Sequence, residues 1–126
     1  MRIQDPLSEN LGTLVKQSQE FPRRRALKSF HEANYPGSQV LLNIIQPDSY
    51  TRPHCRFYTD ESIIHRSGIL CSIHFSEGGE VYDAKIISEG SEYMFLPKNT
   101  IHTMVSLEEN SSFWMIVQGP HDSEII

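Results

Sequence analysis

The chain has 126 residues, of which 38% are hydrophobic and 21% charged, so one soluble globular domain is expected. The formal net charge of −5 argues against a nucleic-acid partner, which requires a basic face. No stretch approaches the ~18 consecutive apolar residues of a membrane span, the N-terminus lacks an apolar signal core, and two cysteines suggest no disulfide framework, so we expect a cytoplasmic protein without a membrane partner.

The first predicted element is a helix within residues 1–22. Asp5 can cap this helix, and Pro6 suits its first position. Leucine and valine recur at helical spacing, at Leu7, Leu11, Leu14 and Val15. Pro22 ends the segment.

After Pro22 the pattern changes to short runs rich in β-branched and aromatic residues, separated by turn residues. The runs predict strands near residues 26–31, 39–46, 49–54, 61–66, 69–76, 80–87, 92–96, 102–106 and 112–118. Many short strands at this spacing favour a sandwich or barrel. We therefore predict an all-β domain over residues 23–120, followed by a short, loose tail at residues 121–126.

Two segments carry the residue types of a metal site. His54 and Arg56 share a strand face, whereas Cys55 points the other way. Glu61 begins a following strand, and His102 begins a strand far along the chain. If the barrel brings these strands together, two imidazoles and one carboxylate converge. That set is found in non-haem Fe(II) oxygenases, and it also suits zinc, nickel or manganese.

The spacing of these two segments resembles that of the two conserved motifs of the cupin superfamily. The first motif runs Gly, five residues, His-x-His, three or four residues, Glu, six residues, Gly. The matching frame here is Asp48, His54-x-Arg56, Glu61 and Gly68. The second motif runs Gly, Pro-x-Gly, two residues, His, three residues, Asn. The matching frame here is Gly90, Pro97-Lys98-Asn99, His102 and Ser106.

The resemblance implies a single cupin, a double-stranded β-helix or jelly-roll barrel with a short N-terminal helix. It also implies a divalent metal ion (Fe, Zn, Ni or Mn) held by His54, Glu61 and His102. Asp48 and Asn99 stand where the family has turn glycines, and both residue types tolerate a positive φ.

Within the cupins, the chain is most similar to the WbuC type of metalloprotein. The similarity rests on the stretches 22–31, 48–56 and 119–122. Proteins of this type are similar to products of genes near bacterial surface-polysaccharide clusters, which implies a small polar, carbohydrate substrate. The resemblance marks His31 as a pocket residue. His31 and Tyr50 are the candidates for a catalytic acid or base, and His74 and His121 are expected on the surface.

Arg56 departs from the family, because it replaces the second histidine of the first motif. A guanidinium stays charged and has no lone pair for a metal. Arg56 could therefore pair with Glu61 and take the place of the cation, or it could bind an anionic ligand. The run Arg23–Arg25 is either a solvated segment or an anion contact at the pocket mouth.

Three functions stay open. The first is a metal-dependent protein acting on a small polar substrate in surface-polysaccharide metabolism. The second is a non-catalytic, metal-free cupin that binds an anionic small molecule through Arg56. The third is a metal-free isomerase or epimerase with a histidine base. A homodimer is expected in each case, because pairing covers exposed sheet edges.

Overall fold

Two antiparallel sheets form the fold, in a computed structural model that describes residues 6–30, 36–118 and 124–125. The elements are α1 (Pro6–Glu20), β1 (Arg25–Ser29), β2 (Ser38–Ile45), β3 (His54–Cys55), β4 (Glu61–Ser67), β5 (Leu70–Phe75), β6 (Val81–Ile87), β7 (Tyr93–Leu96), β8 (Ile101–Ser106), β9 (Ser111–Gln118) and β10 (Glu124–Ile125). One sheet has the order β1-β2-β9-β4-β7 and the other β10-β3-β8-β5-β6. The predicted all-β jelly roll with a short N-terminal helix is confirmed.

The core lies between the sheets. Successive side chains of a strand point to opposite faces, so every second residue of a strand can face the other sheet. Side chains from both sheets meet there, namely Ile45, Ile63, Leu70, Ile87, Met94, Leu96, Met104 and Phe113. Within β2 the intervening residues Leu42 and Ile44 point the opposite way and pack with Leu14 of α1. The helix thus covers the outer face of one sheet. It has 15 residues, and no helix in the described part of the chain could cross a membrane.

Two predictions differ from the structure. The strand predicted near residues 49–54 is wrong, because β3 begins only at His54. Pro53 has no N–H for a sheet hydrogen bond, and the amide of Ser49 donates instead to the Gln46 carbonyl over 3.0 Å. The second difference is β10, within the tail predicted to be loose, which pairs with β3. The domain boundaries at residues 22 and 120 stay a prediction.

The turn between β7 and β8 anchors the loop that follows β3. Asn99 adopts a φ of 69°, as its place in the second motif predicts. Its amide donates to the carbonyl of Arg56 over 2.7 Å, and the amide of Lys98 donates to Asp60 Oδ1 over 2.8 Å. The two motif segments, which are distant in sequence, are therefore fixed against each other by one hydrogen bond to a backbone carbonyl and one to a side-chain carboxylate.

Candidate functional site: an arginine-lined cavity

A cavity of about 330 Å³ lies between the sheets. One part of its wall is apolar, formed by Leu27, Ile63, Met104, Phe113 and Met115. The remainder is polar or charged, formed by Arg23, Arg25, Asn43, Thr51, Arg52, His54, Arg56, Glu61 and His102. The structure therefore brings His54, Arg56, Glu61 and His102 together at one site.

The two histidines stand side by side because β3 and β8 pair directly at His54 and His102. Their ring centroids are 4.7 Å apart. His54 Nδ1 lies 3.2 Å from the Arg52 carbonyl and His102 Nδ1 lies 3.0 Å from the Thr100 carbonyl. A carbonyl only accepts, so each Nδ1 carries a proton, and Nε2 is the nitrogen that offers a lone pair whenever either ring is in its neutral form.

Arg56 forms a buried ion pair with Glu61. Its Nε donates to Glu61 Oε1 over 2.8 Å, and each side chain is only 4% exposed. Arg56 Nη2 also lies 3.9 Å from Met115 Sδ. The same Glu61 oxygen is 3.9 Å from His102 Nε2. The carboxylate predicted to bind a metal ion is therefore neutralised by a guanidinium.

The residues present do not fit a metal ion in this arrangement. A cation would have to share the Glu61 carboxylate with Arg56, whose fixed positive charge already lies 2.8 Å from Oε1. Among the side chains that the structure describes, in residues 11–30 and 36–118, no group of three His, Cys, Asp or Glu is placed to hold a metal. His54, Glu61 and His102 converge as the motifs predict, but Arg56 stands among them.

Burial controls the charge of His102. Removal from water lowers the pKa of His102 below its ordinary value, although the Glu61 carboxylate pulls that pKa upward. Burial outweighs the attraction of the carboxylate for the charged ring. A neutral imidazole therefore faces the cavity at pH 7.

The side chains of the run Arg23–Arg25 point in two different directions, one to the surface and two to the cavity. Arg24 has a φ of 58°, and its side chain pairs with Asp48 on the surface, with Nε 2.9 Å from Oδ1. Arg23 and Arg25 line the cavity instead, which favours the predicted anion contact over a solvated run.

Arg25 is a cavity arginine that is held in place by a side-chain contact outside the ion pair. It is half-buried and donates through Nη1 to Thr51 Oγ1. The Thr51 carbonyl accepts from Thr103 Oγ1 over 2.7 Å, so Arg25 joins β1 to a loop held on the opposite sheet. Burial, and secondarily repulsion from Arg23, lower the pKa of Arg25 to about 10. The side chain remains charged at neutral pH, in an environment that disfavours its charge.

Two predicted catalytic residues gain no support from the geometry. The Tyr50 side chain is 74% exposed and is not among the cavity-lining residues. His31 lies outside the described residues, as does His121. His74, expected on the surface, is instead 5% exposed, because it shares the inward face of β5 with Leu70 and Ser72. Its Nε2 lies 2.8 Å from Ser72 Oγ.

The sequence prediction missed Arg52 and Asn43 as cavity residues. The signal for Asn43 is its place between Leu41 and Ile45, on the one face of β2 that turns to the barrel interior. A lone polar residue in that series is unusual, because burying an amide is costly unless it is hydrogen-bonded. For Arg52 no comparable signal exists, since it lies in the loop before β3.

More than half of the chain matches one protein-family model. Residues 7–87 match the family model described as "Domain of unknown function (DUF6016)". The protein is a member of the DUF6016 family. A comparison with curated proteins finds no match for this DUF6016 chain.

Solved structures resemble the DUF6016 chain at low sequence identity. The capsular polysaccharide assembling protein CapF from Staphylococcus aureus gives a TM-score of 0.70 at 18% identity, over 84% of this chain and 32% of that chain. Oxalate oxidase in complex with the substrate analogue glycolate gives a TM-score of 0.68 at 14% identity, over 86% of this chain and 58% of that chain. KdgF from Halomonas sp. gives a TM-score of 0.63 at 18% identity, over 82% of this chain and 84% of that chain. The chain thus spans about a third of CapF, and these likenesses show the cupin fold.

Proposed function

We propose that this protein binds a small anionic molecule in the cavity between its sheets and that it does so without a metal ion. One observation carries the proposal. Four arginines and one glutamate line the cavity, a formal charge of +3 with the histidines neutral, in a chain whose net charge is −5. A cavity with low-dielectric walls and one sign of charge concentrates ligands of the opposite sign.

The energetics of the arginines favour the same conclusion. The lowered pKa of Arg25 means that burial and Arg23 destabilise its charge. A bound carboxylate or phosphate would offset that cost and accept charge-assisted hydrogen bonds, worth about 1.5–3 kcal/mol each. Arg56 supplies the fixed positive charge beside Glu61 that a metal ion supplies in the histidine-rich version of the motif. The ligand would bring negative charge to a cavity whose described lining residues carry a formal charge of +3.

The ligand class we propose is an acidic sugar or sugar phosphate of surface-polysaccharide metabolism. The cavity has both polar and apolar lining residues, as a sugar ring requires. Its volume of about 330 Å³ is at the small end of the ~300–1,000 Å³ range of ligand pockets, which suits a monosaccharide. The resemblance to WbuC-type proteins supports this class, as does the fold similarity to CapF, described as a capsular polysaccharide assembling protein.

Calorimetric titration tests the proposal. Protein purified without a polyhistidine tag is titrated with D-glucuronate and with inorganic phosphate. We expect Arg25→Met to weaken binding about 10–100-fold, through loss of one charge-assisted contact. Arg24→Asn is the matched control, because Arg24 is adjacent but pairs outside the cavity, and asparagine tolerates its positive φ. Absence of binding by both anions, or an equal loss in both variants, would contradict the proposal.

A metal-dependent enzyme acting on a small polar substrate is the second candidate function. The observation that favours it is the convergence of His54, His102 and Glu61, with 3.9 Å between His102 Nε2 and Glu61 Oε1. A metal centre there would require Arg56 to leave Glu61. Less than about a tenth of an equivalent of any transition metal after reconstitution would eliminate this candidate, whereas stoichiometric metal would eliminate the metal-free proposal.

Arg56→His separates the two functions in a single variant. If Arg56 occupies the place of the cation, the added imidazole should raise zinc affinity at least ~100-fold, because it supplies a further ligand and removes the competing charge. The same change should weaken anion binding. Zinc affinity that is already tight in the parent and unchanged in the variant would refute the role given to Arg56.

A further inference from the structure

One amide nitrogen in the cavity wall is buried without a hydrogen bond to any described residue. Asn43 Nδ2 is inaccessible to solvent and, within the part of the chain that the structure describes, has no hydrogen-bond partner. The residues before and after it on the same strand face are Leu41 and Ile45, which are both buried. Burying an unsatisfied amide costs free energy. A leucine would continue the apolar face without that cost, so an asparagine here needs a reason other than folding.

The position of Asn43 supplies that reason. Asn43 lines the cavity and pairs directly across the sheet with Leu27 of β1. Arg25 pairs with the next inward residue of β2, Ile45. Arg25 and Asn43 are therefore diagonal neighbours on one sheet face, with Cβ atoms about 7–8 Å apart. If the acidic group of a ligand binds Arg25, the ligand atoms next to that group lie toward Asn43.

We infer that Asn43 is a specificity-determining residue: when its amide turns about χ2 toward the cavity, Nδ2 donates a hydrogen bond to a hydroxyl or ring oxygen of the ligand, next to the anionic group held by Arg25. The inference rests on the proposed anion-binding function and narrows it to polyhydroxylated acids such as uronic acids. The Nδ2 donor requires an oxygen acceptor, which a sugar ring offers and a hydrocarbon ring does not. A site with a buried hydrogen-bonding group discriminates strongly against analogues that lack the partner, because the group then stays unpaired.

Two ligands of equal charge and ring size test this. The parent and Asn43→Leu are titrated with D-glucuronate and with cyclohexanecarboxylate, which has the carboxylate but no hydroxyl or ring oxygen. In the parent we expect glucuronate to bind at least ~10-fold more tightly. In Asn43→Leu that preference should disappear, through about a ten-fold loss for glucuronate and no loss for cyclohexanecarboxylate.

Stability separates this role from a structural one. If Asn43 serves only the ligand, Asn43→Leu should unfold at the same urea concentration as the parent, or at a higher one, because an unsatisfied amide has been removed. A lower unfolding midpoint would mean that the amide supports the fold, and would overturn the inference. So would an equal loss of affinity for the two ligands, or no loss for either.

The outcome also distinguishes this inference from the function on which it rests. If the parent binds cyclohexanecarboxylate as tightly as glucuronate, anion binding stands and the role of Asn43 is refuted. If the parent binds none of the three anions, glucuronate, cyclohexanecarboxylate and phosphate, the proposed function is refuted and the inference is refuted with it.

Discussion

Removing Arg56 should destabilise the protein far more than removing an exposed basic residue. In Arg56→Met the Glu61 carboxylate loses its cation, although its side chain is only 4% exposed. Breaking a buried pair on one side costs about 3–5 kcal/mol, because an uncompensated charge remains. That is a large fraction of the ~5–15 kcal/mol by which domains are stable. Replacing both partners, in Arg56→Met/Glu61→Leu, should cost much less, since no buried charge remains.

Urea unfolding followed by the fluorescence of Trp114 measures these differences. Lys85→Met is the matched control, because Lys85 pairs with Asp83 at 3.9 Å with both side chains about half exposed, and such pairs contribute about 0–1 kcal/mol. The dependence on urea should keep its slope, so that the midpoint alone reports stability. The reasoning is refuted if Arg56→Met costs no more than Lys85→Met, or if the double variant is less stable than the single one.

Three further predictions concern other parts of the molecule. Burial lowers the pKa of His74, so the folded state binds fewer protons than the unfolded state, and stability should fall as the pH drops below about 6.5. In His74→Asn the difference between the urea midpoints at pH 7 and pH 5.5 should be smaller than in the parent. Equal differences in the two proteins would contradict this. Gly68→Ala should destabilise by about 1–3 kcal/mol, since its Cβ would lie 2.3 Å from Ser111 Oγ at a φ of +76°. Gly79→Ala, at a φ of +88° in open space, should cost less in the same unfolding assay. The homodimer expected from the sequence stays a prediction, which sedimentation equilibrium would support at twice the chain mass of 14.5 kDa and reject at that mass.

The sequence predicted the architecture well because the relevant signals are local. Alternating hydrophobicity locates most strands to within one or two residues, and the motif spacing places His54, Glu61 and His102 around one cavity. The strand predicted near residues 49–54 is wrong because Pro53, within that β-rich stretch, cannot donate a hydrogen bond to a sheet, so β3 begins only at His54. His74 was misplaced for a related reason, since its burial depends on which face of β5 turns inward.

The arginines were harder to predict because their roles depend on contacts between distant segments. Nothing local shows that Arg25 reaches Thr51, or that the left-handed backbone of Arg24 sends its side chain away from Arg23 and Arg25. Arg56 is the intermediate case. Its chemistry and strand parity predict both an ion pair with Glu61 and an anion contact, and only the folded geometry shows the ion pair at 2.8 Å.

The most direct test of the central claim is anomalous X-ray diffraction from crystals of untagged protein grown with equimolar iron, zinc, nickel and manganese. The claim is that Arg56, and not a metal ion, neutralises Glu61. It predicts electron density for the Arg56 guanidinium within hydrogen-bond distance of Glu61, and no anomalous peak at the site. A peak at about 2.0–2.2 Å from His54, His102 and Glu61, with Arg56 displaced from the carboxylate, would contradict it.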